Sequence, residues 1–174
     1  MVKSTFENLP PEKKQRIEQA LLNEFSNHPL AKAQVARIVK EAQIARGAFY
    51  KYFDDLNDAY RYIYHQAMKE VHLGYQNLMK EYDPDLFYQM TVDFINKTEQ
   101  SQYRELIKLH LLENDIQLQP DPKKMSERLL RLDAKSWSAM VLTHEAINLA
   151  LFDPKNRKQN LERYRASLEL LKGR

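Results

Sequence analysis

The stretch that determines the predicted fold is residues 33–53, AQVARIVKEAQIARGAFYKYF. Its pattern predicts a short helix, a turn without proline, and a second short helix that starts near Ile44. The second helix carries small and cationic residues in its first turn and four aromatic residues in its last, Phe49, Tyr50, Tyr52 and Phe53. A narrow cationic tip with a bulky anchor behind it suits a helix that enters the major groove of DNA.

Apolar, glycine and aromatic positions recur through this stretch as Ile38-x-x-x-Ala42-x-Ile44-x-x-Gly47-x-Phe49-Tyr50-x-x-Phe53. This pattern resembles the helix-turn-helix of the TetR family of bacterial transcriptional regulators. The resemblance covers roughly residues 10–60 on hydrophobic spacing, and beyond it only the helical layout and the length agree. It implies an all-α fold of about nine helices, with a helix-turn-helix DNA-binding domain at residues 1–53 and a helical regulatory and dimerisation domain at residues 54–174.

The sequence departs from the usual TetR pattern at a few positions. Gln43 stands where the family usually has glycine, and a left-handed backbone there would cost about 1 kcal/mol. Ala45 and Ala48 replace hydroxyl residues that would bind phosphate, and Leu56 replaces a lysine. These changes weaken the expected phosphate contacts. They leave open an alternative, a protein-interaction module that keeps the fold but has lost DNA binding.

Composition and charge fit the same expectation. The 174 residues carry a formal net charge of +3 and include no cysteine, which excludes disulfides and thiolate metal sites. Residues 1–53 hold nine Lys and Arg against five Asp and Glu, whereas residues 54–174 hold eighteen against nineteen. A basic N-terminal third fits DNA binding, with a solvated charged surface as the alternative. Without an apolar run of about 20 residues or a signal-peptide pattern, we expect no membrane association and a cytoplasmic location.

Aspartates mark the predicted helix starts, because their side chains cap exposed N–H groups and proline is tolerated at the first helical position. The predicted starts are Asp54/Asp55, Asp83-Pro84, Asp121-Pro122 and Asp153-Pro154. Apolar residues three to four apart predict the buried faces of the helices before and after the motif. These faces are formed by Ile17, Leu21 and Phe25, and by Leu56, Tyr60, Ile63, Ala67, Val71 and Leu78.

Several residues of the motif are assigned to DNA. Arg46 is placed to reach guanine O6 and N7, or else phosphate alone. Gly47 permits a close approach to the groove, and Tyr50 is expected to bind phosphate, with a wholly buried core tyrosine as the alternative. For Arg37 a solvated helix face is the alternative to a DNA contact. The full predicted set is Gln34, Arg37, Ala45, Arg46, Gly47, Tyr50 and Lys51.

The C-terminal domain is expected to bind a small hydrophobic or aromatic effector and to form a homodimer. Plain core packing explains each ligand residue equally well; the predicted set is Tyr64, Phe87, Met90, Phe94, Tyr103, His110, Trp137 and Met140. The last two helices could cap the core of a monomer, but in TetR-like proteins the corresponding pair forms a four-helix bundle with its symmetry mate. The predicted dimerisation set is Val141, Ile147, Leu151, Leu161, Tyr164, Leu168 and Leu171.

Other chemistry finds little support in the sequence. Neither His65 with His72 nor His110 with Glu113 has a third ligand in register, so we expect no metal and no cofactor. No nucleophile motif, phosphate-binding glycine loop or distinctive carboxylate pair is present, so we expect no enzyme, with a small all-α enzyme kept as a rival class. The sequence therefore predicts a repressor that binds a palindromic operator in double-stranded DNA as a dimer and is released by a small ligand.

Overall fold

The computed structural model describes residues 2–71, 82–114, 130 and 132–172, and within these residues the chain forms nine α-helices and no strand. The helices are α1 (Ser4–Glu7), α2 (Pro11–Asn27), α3 (Val35–Glu41), α4 (Arg46–Tyr52), α5 (Leu56–Val71), α6 (Pro84–Gln100), α7 (Arg104–Leu109), α8 (Ala134–Phe152) and α9 (Arg157–Lys172). A 3-10 turn, Leu30–Lys32, precedes α3, and a π-helical turn, His110–Asn114, follows α7. The predicted all-α fold is confirmed. The predicted start at Asp121-Pro122 and the position of Leu78 lie outside the described residues.

The chain divides into two compact units. The first comprises residues 1–70 and 102–118, and the second comprises residues 71–101 and 119–174. The first unit thus extends beyond the predicted DNA-binding domain and takes in α7. The functional boundary predicted between residues 53 and 54 stays a prediction.

The core of the first unit is built around α2. Its residues Ile17, Leu21 and Phe25 are completely buried, as their spacing predicts. α2 packs against α3 and α7, while α1 and α3 both contact α4. Full burial of an apolar side chain of this size stabilises the fold by about 1.5–3 kcal/mol relative to exposure. The helix-turn-helix and α7 therefore pack against the same apolar core around α2.

The turn between α3 and α4 depends on Gln43, whose φ is 53°. Its left-handed backbone lets the chain close the end of α3 with two hydrogen bonds. The Gln43 N–H donates to the Lys40 carbonyl at 3.3 Å, and the Ile44 N–H donates to the Val39 carbonyl at 3.0 Å. Because glutamine has a Cβ, this conformation costs about 1 kcal/mol that glycine would not. The left-handed turn considered from the sequence is thus present.

Two predicted helix starts are confirmed. At α5 the Asp55 carboxylate accepts from the Asp58 N–H at 2.7 Å, and the Asp58 carboxylate accepts from the Asp54 N–H at 3.2 Å. At α6 one oxygen of Asp83 accepts from two first-turn N–H groups at 2.9 and 3.2 Å, and Pro84 occupies the first helical position. Both starts satisfy N–H groups that have no partner inside the helix.

The predicted start at Asp153-Pro154 is wrong, because α9 begins at Arg157. The Asp153 N–H instead donates to the Leu149 carbonyl at 2.9 Å and closes the end of α8. Its carboxylate accepts a hydrogen bond from Asn156 Nδ2 at 2.8 Å. Asp153 therefore ends one helix and holds the turn that follows, so the next helix starts only after that turn.

The core of the second unit lies among α6, α8 and α9, which contact one another. At its centre the Tyr164 hydroxyl forms hydrogen bonds with Thr143 at 2.6 Å and with Thr91 at 3.0 Å. Burial raises the pKa of Tyr164, although both threonine hydrogen bonds act in the opposite direction. The buried cluster around this hydroxyl consists of Phe87, Ala139, Ala146, Tyr164 and Leu168.

Candidate nucleic-acid interface

The N-terminal end of α4 is exposed to solvent. Ala45, Arg46 and Gly47 are all exposed, and no side chain caps the helix start. A Cβ built on Gly47 would meet no atom within 4 Å, so packing inside the protein does not require glycine there. The tip of α4 is therefore narrow, positively charged and open, which is the shape that a helix needs to approach the floor of a major groove.

The C-terminal end of α4 is anchored in the core by aromatic rings. Phe49 and Phe53 are fully buried with their ring centroids 5.4 Å apart, and Tyr52 is 6% exposed. Tyr50 lies on the other side of the helix and is 45% exposed, with its ring edge-on to Phe49. The alternative of a wholly buried Tyr50 is thus wrong, because nearly half of the residue is exposed to solvent.

The segment before α2 holds the last turn of α4. The Lys3 N–H donates to the Tyr52 carbonyl at 3.1 Å, and Lys3 Nζ donates to the Tyr50 carbonyl at 2.9 Å. The Thr5 hydroxyl donates to the Lys51 carbonyl. These carbonyls belong to the final turn, where a helix has no partners for them, and a cation there also interacts favourably with the helix dipole.

A buried ring in α1 completes this support. Phe6 is fully buried, and its ring centroid lies 4.9 Å from Phe53, 5.7 Å from Tyr52 and 5.1 Å from Tyr62. This helix was not predicted from the sequence, since four residues are too few to show an apolar repeat. The only signal was one aromatic residue among polar neighbours.

The start of α3 is fixed by a carboxylate whose role was not predicted from the sequence. Glu24 of α2 is only 4% exposed. It accepts hydrogen bonds from the Gln34 N–H at 2.7 Å and from Arg37 Nε and Nη2 at 2.8 and 2.6 Å. Burial raises the pKa of Glu24, but the hydrogen bonds from Arg37 and Gln34 outweigh it, so the pKa lies below its ordinary value of 4.5. Glu24 lies three residues after Leu21, on the apolar face of α2, and this position could have indicated that its side chain is buried.

Comparison with known proteins agrees with this geometry. Residues 17–56, from the middle of α2 to the start of α5, match the family model described as "Bacterial regulatory proteins, tetR family". This stretch, which contains the helix-turn-helix, is thus similar to the N-terminal region of tetR-family regulators. No curated protein matches the chain.

Solved structures share the TetR fold over nearly the whole chain. A TetR family transcriptional regulator from Chloroflexus aurantiacus is 18% identical with a TM-score of 0.60, and the match covers 98% of this chain and 96% of that one. A Streptomyces coelicolor protein described as a "putative transcriptional regulator" is 17% identical with a TM-score of 0.55, covering 91% of this chain and 97% of that one. At these identities the likeness concerns the fold.

The predicted ligand residues are divided between the two compact units. Tyr64, Tyr103 and His110 belong to the first unit, and Phe87, Met90, Phe94, Trp137 and Met140 belong to the second. Phe87 and Phe94 are each 7% exposed, whereas Trp137 is 49% and Met140 38% exposed. A single ligand pocket lined by all eight residues stays a prediction.

The ligand residues of the first unit lie at a buried polar cluster and beside a groove. The rings of Tyr64 and His110 stack with centroids 3.9 Å apart, and the Tyr60 hydroxyl lies 3.1 Å from His110 Nδ1. Burial raises the pKa of Tyr60 well above its usual range. Tyr103 lines a groove of about 370 Å³ together with Gln15, Glu18, Gln19, Leu22, Ile63 and Gln102.

The predicted dimerisation residues differ in exposure. Tyr164 and Leu168 lie in the core of the second unit, and Ile147 and Leu151 are also buried. Val141 is 46% exposed. It shares one face of α8 with Trp137 and Met140, since these positions are three and four residues apart. We call Trp137, Met140 and Val141 the α8 patch.

Among the residues that the structure describes, no group of three or more His, Asp or Glu side chains is arranged to hold a metal ion. None of the helices traced there has the length and apolar character needed to cross a bilayer.

Proposed function

We propose that this chain is a transcriptional repressor that binds a palindromic operator in double-stranded DNA as a homodimer. The observation that carries the proposal is the open cationic tip of α4, where Arg46 and Gly47 are exposed and the Gly47 Cβ position is empty. The TetR-family domain in which this tip lies supports it. A recognition helix with a small, charged front end fits the width of the major groove.

We assign the individual DNA contacts from the exposure of each side chain and its position on α3 or α4. Arg46 at the front of α4 reaches a guanine edge, whereas Tyr50 and Lys51 at its exposed rear bind phosphate. Ala45 and Gly47 let the helix backbone approach the bases. Gln34, exposed at the start of α3, contacts the DNA backbone. The loss of hydroxyl groups at Ala45 and Ala48 leaves fewer phosphate contacts than the family pattern provides.

The small DNA surface that one helix-turn-helix covers supports a dimer, since two half-sites double the contact. The α8 patch is the favoured centre of the interface, because Trp137, Met140 and Val141 are 38–49% exposed and adjacent. Leu161 and Leu171 of α9 are partly buried, and we assign the exposed part of each to the same interface. A stable dimer needs about 800 Å² from each partner, so polar residues of α8 and α9 complete the surface.

Regulation is assigned to a small hydrophobic or aromatic ligand. Such a ligand shifts α5, which begins directly after α4 and continues into the protein. To weaken operator binding 100-fold, the ligand must bind the released state more tightly by about 2.7 kcal/mol. A ligand that binds without changing operator affinity would remove this part of the proposal.

Selection of bound fragments from genomic and random double-stranded DNA tests the proposed function. We expect enrichment of a sequence with two-fold symmetry and half-sites one helical turn, or a multiple of it, apart. Binding should also weaken steeply with salt, because each neutralised phosphate releases counterions. A folded chain that enriches no sequence and shows no salt-dependent DNA binding would instead be the fold-retaining protein-interaction module.

A further inference from the structure

Glu24 is a charged residue at a position where an apolar one would be expected. Its side chain is 3% exposed and lies between α2 and the start of α3. A buried carboxylate costs free energy unless hydrogen bonds satisfy it. Three do so here, one from the Gln34 N–H and two from Arg37, and His28 Nδ1 lies 3.7 Å away.

Arg37 is committed to this carboxylate through two parallel hydrogen bonds. Nε and Nη2 each contact a different oxygen of Glu24, and Nη2 also donates to the Lys32 carbonyl at 2.8 Å. This two-point geometry is the one in which a guanidinium binds most strongly and most directionally. The charge of Arg37 is therefore paired with that of Glu24 in the protein without DNA.

The contacts of Glu24 converge on the first residues of α3. Gln34 precedes α3 and Arg37 lies in its first turn, and both are tied to the same side chain of α2. α3 in turn packs against α4. Glu24 is therefore connected to α4 through the start of α3.

We propose that Glu24 and Arg37 are positioning residues that set the orientation of the helix-turn-helix, and that Arg37 acts through Glu24 rather than by neutralising a DNA phosphate. This inference rests on the proposed DNA-binding function and changes the role assigned to Arg37. It predicts that Arg37 contributes to affinity without contributing to the counterion release that accompanies binding.

The dependence of DNA affinity on salt separates the two roles. The probe is a duplex of random sequence, titrated at several salt concentrations with wild type, Arg37→Ala and, as the matched phosphate-contact control, Lys51→Ala. Removing one phosphate contact lowers the slope of log K against log salt by about 0.9. We expect Lys51→Ala to lower the slope by that amount. We expect Arg37→Ala to weaken binding about tenfold at every salt concentration and to leave the slope unchanged.

A conservative variant keeps the test decisive if Arg37→Ala folds poorly. Arg37→Lys retains the charge that a phosphate needs but cannot donate two parallel bonds to Glu24. We expect it to bind several-fold more weakly than wild type, about as weakly as Glu24→Gln. The double variant Glu24→Gln/Arg37→Lys should be no worse than either single variant, because both act through one interaction.

The outcomes separate this inference from the proposed function. If wild type and Lys51→Ala behave as expected but Arg37→Ala also flattens the slope by about one, or Arg37→Lys binds like wild type, Arg37 contacts phosphate and only the positioning role is overturned. If folded wild-type protein shows no salt-dependent binding to duplex DNA, the proposed function fails and the inference falls with it.

Discussion

Asn114 accepts a hydrogen bond from the backbone N–H of Leu30 at 3.0 Å, across 84 residues of sequence. Leu30 begins the 3-10 turn before α3, and Asn114 ends the π-helical turn after α7. The Asn114 amide also donates to the Tyr60 hydroxyl at 3.3 Å. One fully buried side chain thus joins the π-helical turn to α5 and to the segment that leads into the helix-turn-helix.

Replacing Asn114 by alanine should destabilise the protein by about 1–3 kcal/mol, because the buried Leu30 N–H loses its acceptor. The measurement is the free energy of unfolding from denaturant titration. Asn57→Ala is the matched control, since Asn57 is exposed on α5 and should change the free energy of unfolding by less than about 0.5 kcal/mol. Equal stabilities for the two variants would show that the buried hydrogen bond contributes nothing.

Gly47→Ala should fold normally and bind DNA more weakly. The new methyl group meets no protein atom within 4 Å, and alanine favours a helix over glycine by up to about 1 kcal/mol. If α4 lies close to the bases, the same methyl group collides with DNA and lowers affinity. Thermal unfolding measures the stability of the variant, and DNA titration measures its affinity. Unchanged DNA affinity in a stable variant would mean that Gly47 does not face the groove.

Arg46 and Lys51 should differ in what their loss does to sequence preference. Arg46→Ala should relax the preference at one base pair per half-site by about 1–3 kcal/mol, because a two-bond guanine contact is lost. Lys51→Ala should weaken all sequences alike, since it binds the backbone. The check is affinity for the selected operator, for single-base variants of it and for random duplex. Equal losses on operator and random DNA for Arg46→Ala would assign Arg46 to phosphate.

Stability should depend on pH through Glu24. Its pKa is below the ordinary value of 4.5, so its contribution is fully present above that value and is lost as pH falls towards the lowered pKa. Wild type should therefore exceed Glu24→Gln in stability by about 1–3 kcal/mol at neutral pH and by less at about pH 3. Unfolding titrations at both pH values test this, with Glu145→Gln as the control for loss of an exposed carboxylate. A difference that grows on acidification would contradict the prediction.

Val141→Lys should convert the proposed dimer to a monomer. It places a charge on the α8 patch, and an unpaired charge in an interface costs several kcal/mol. Sedimentation or light scattering gives the oligomeric state, and circular dichroism checks that the variant is folded. Leu112→Lys is the control, because Leu112 is 62% exposed and belongs to the first unit. A dimer that survives Val141→Lys would place the interface elsewhere.

Local sequence signals predicted most of the fold. Ile17, Leu21 and Phe25 are buried as their spacing required, and the aspartates at Asp55 and Asp83 cap the helices they precede. Such signals succeed because periodicity and capping act within one or two turns of the same helix. The tip of α4 was likewise visible, since its residues needed only to be small and charged.

Features that depend on distant partners were not predictable. The role of Glu24 follows from Arg37, which lies 13 residues away on another helix. Phe6 is buried because α1 covers the end of α4, and the residues next to Phe6 in the sequence do not indicate this contact. On α8 the apolar stripe continues from the buried Ile147 to the exposed Trp137. Helical spacing of apolar residues does not indicate which of them face the core and which face solvent or a partner.

The bond between Leu30 and Asn114 has a consequence for the way the chain is made. A ribosome releases the polypeptide from its amino end, and domains generally begin to fold in that order. Here the helix-turn-helix emerges long before α7, which packs on α2 and carries the acceptor for Leu30 to its place. A nascent chain halted before residue 102 would expose the face of α2 that α7 covers, so the core beneath the DNA-binding end is complete only after residues 102–114 have been translated.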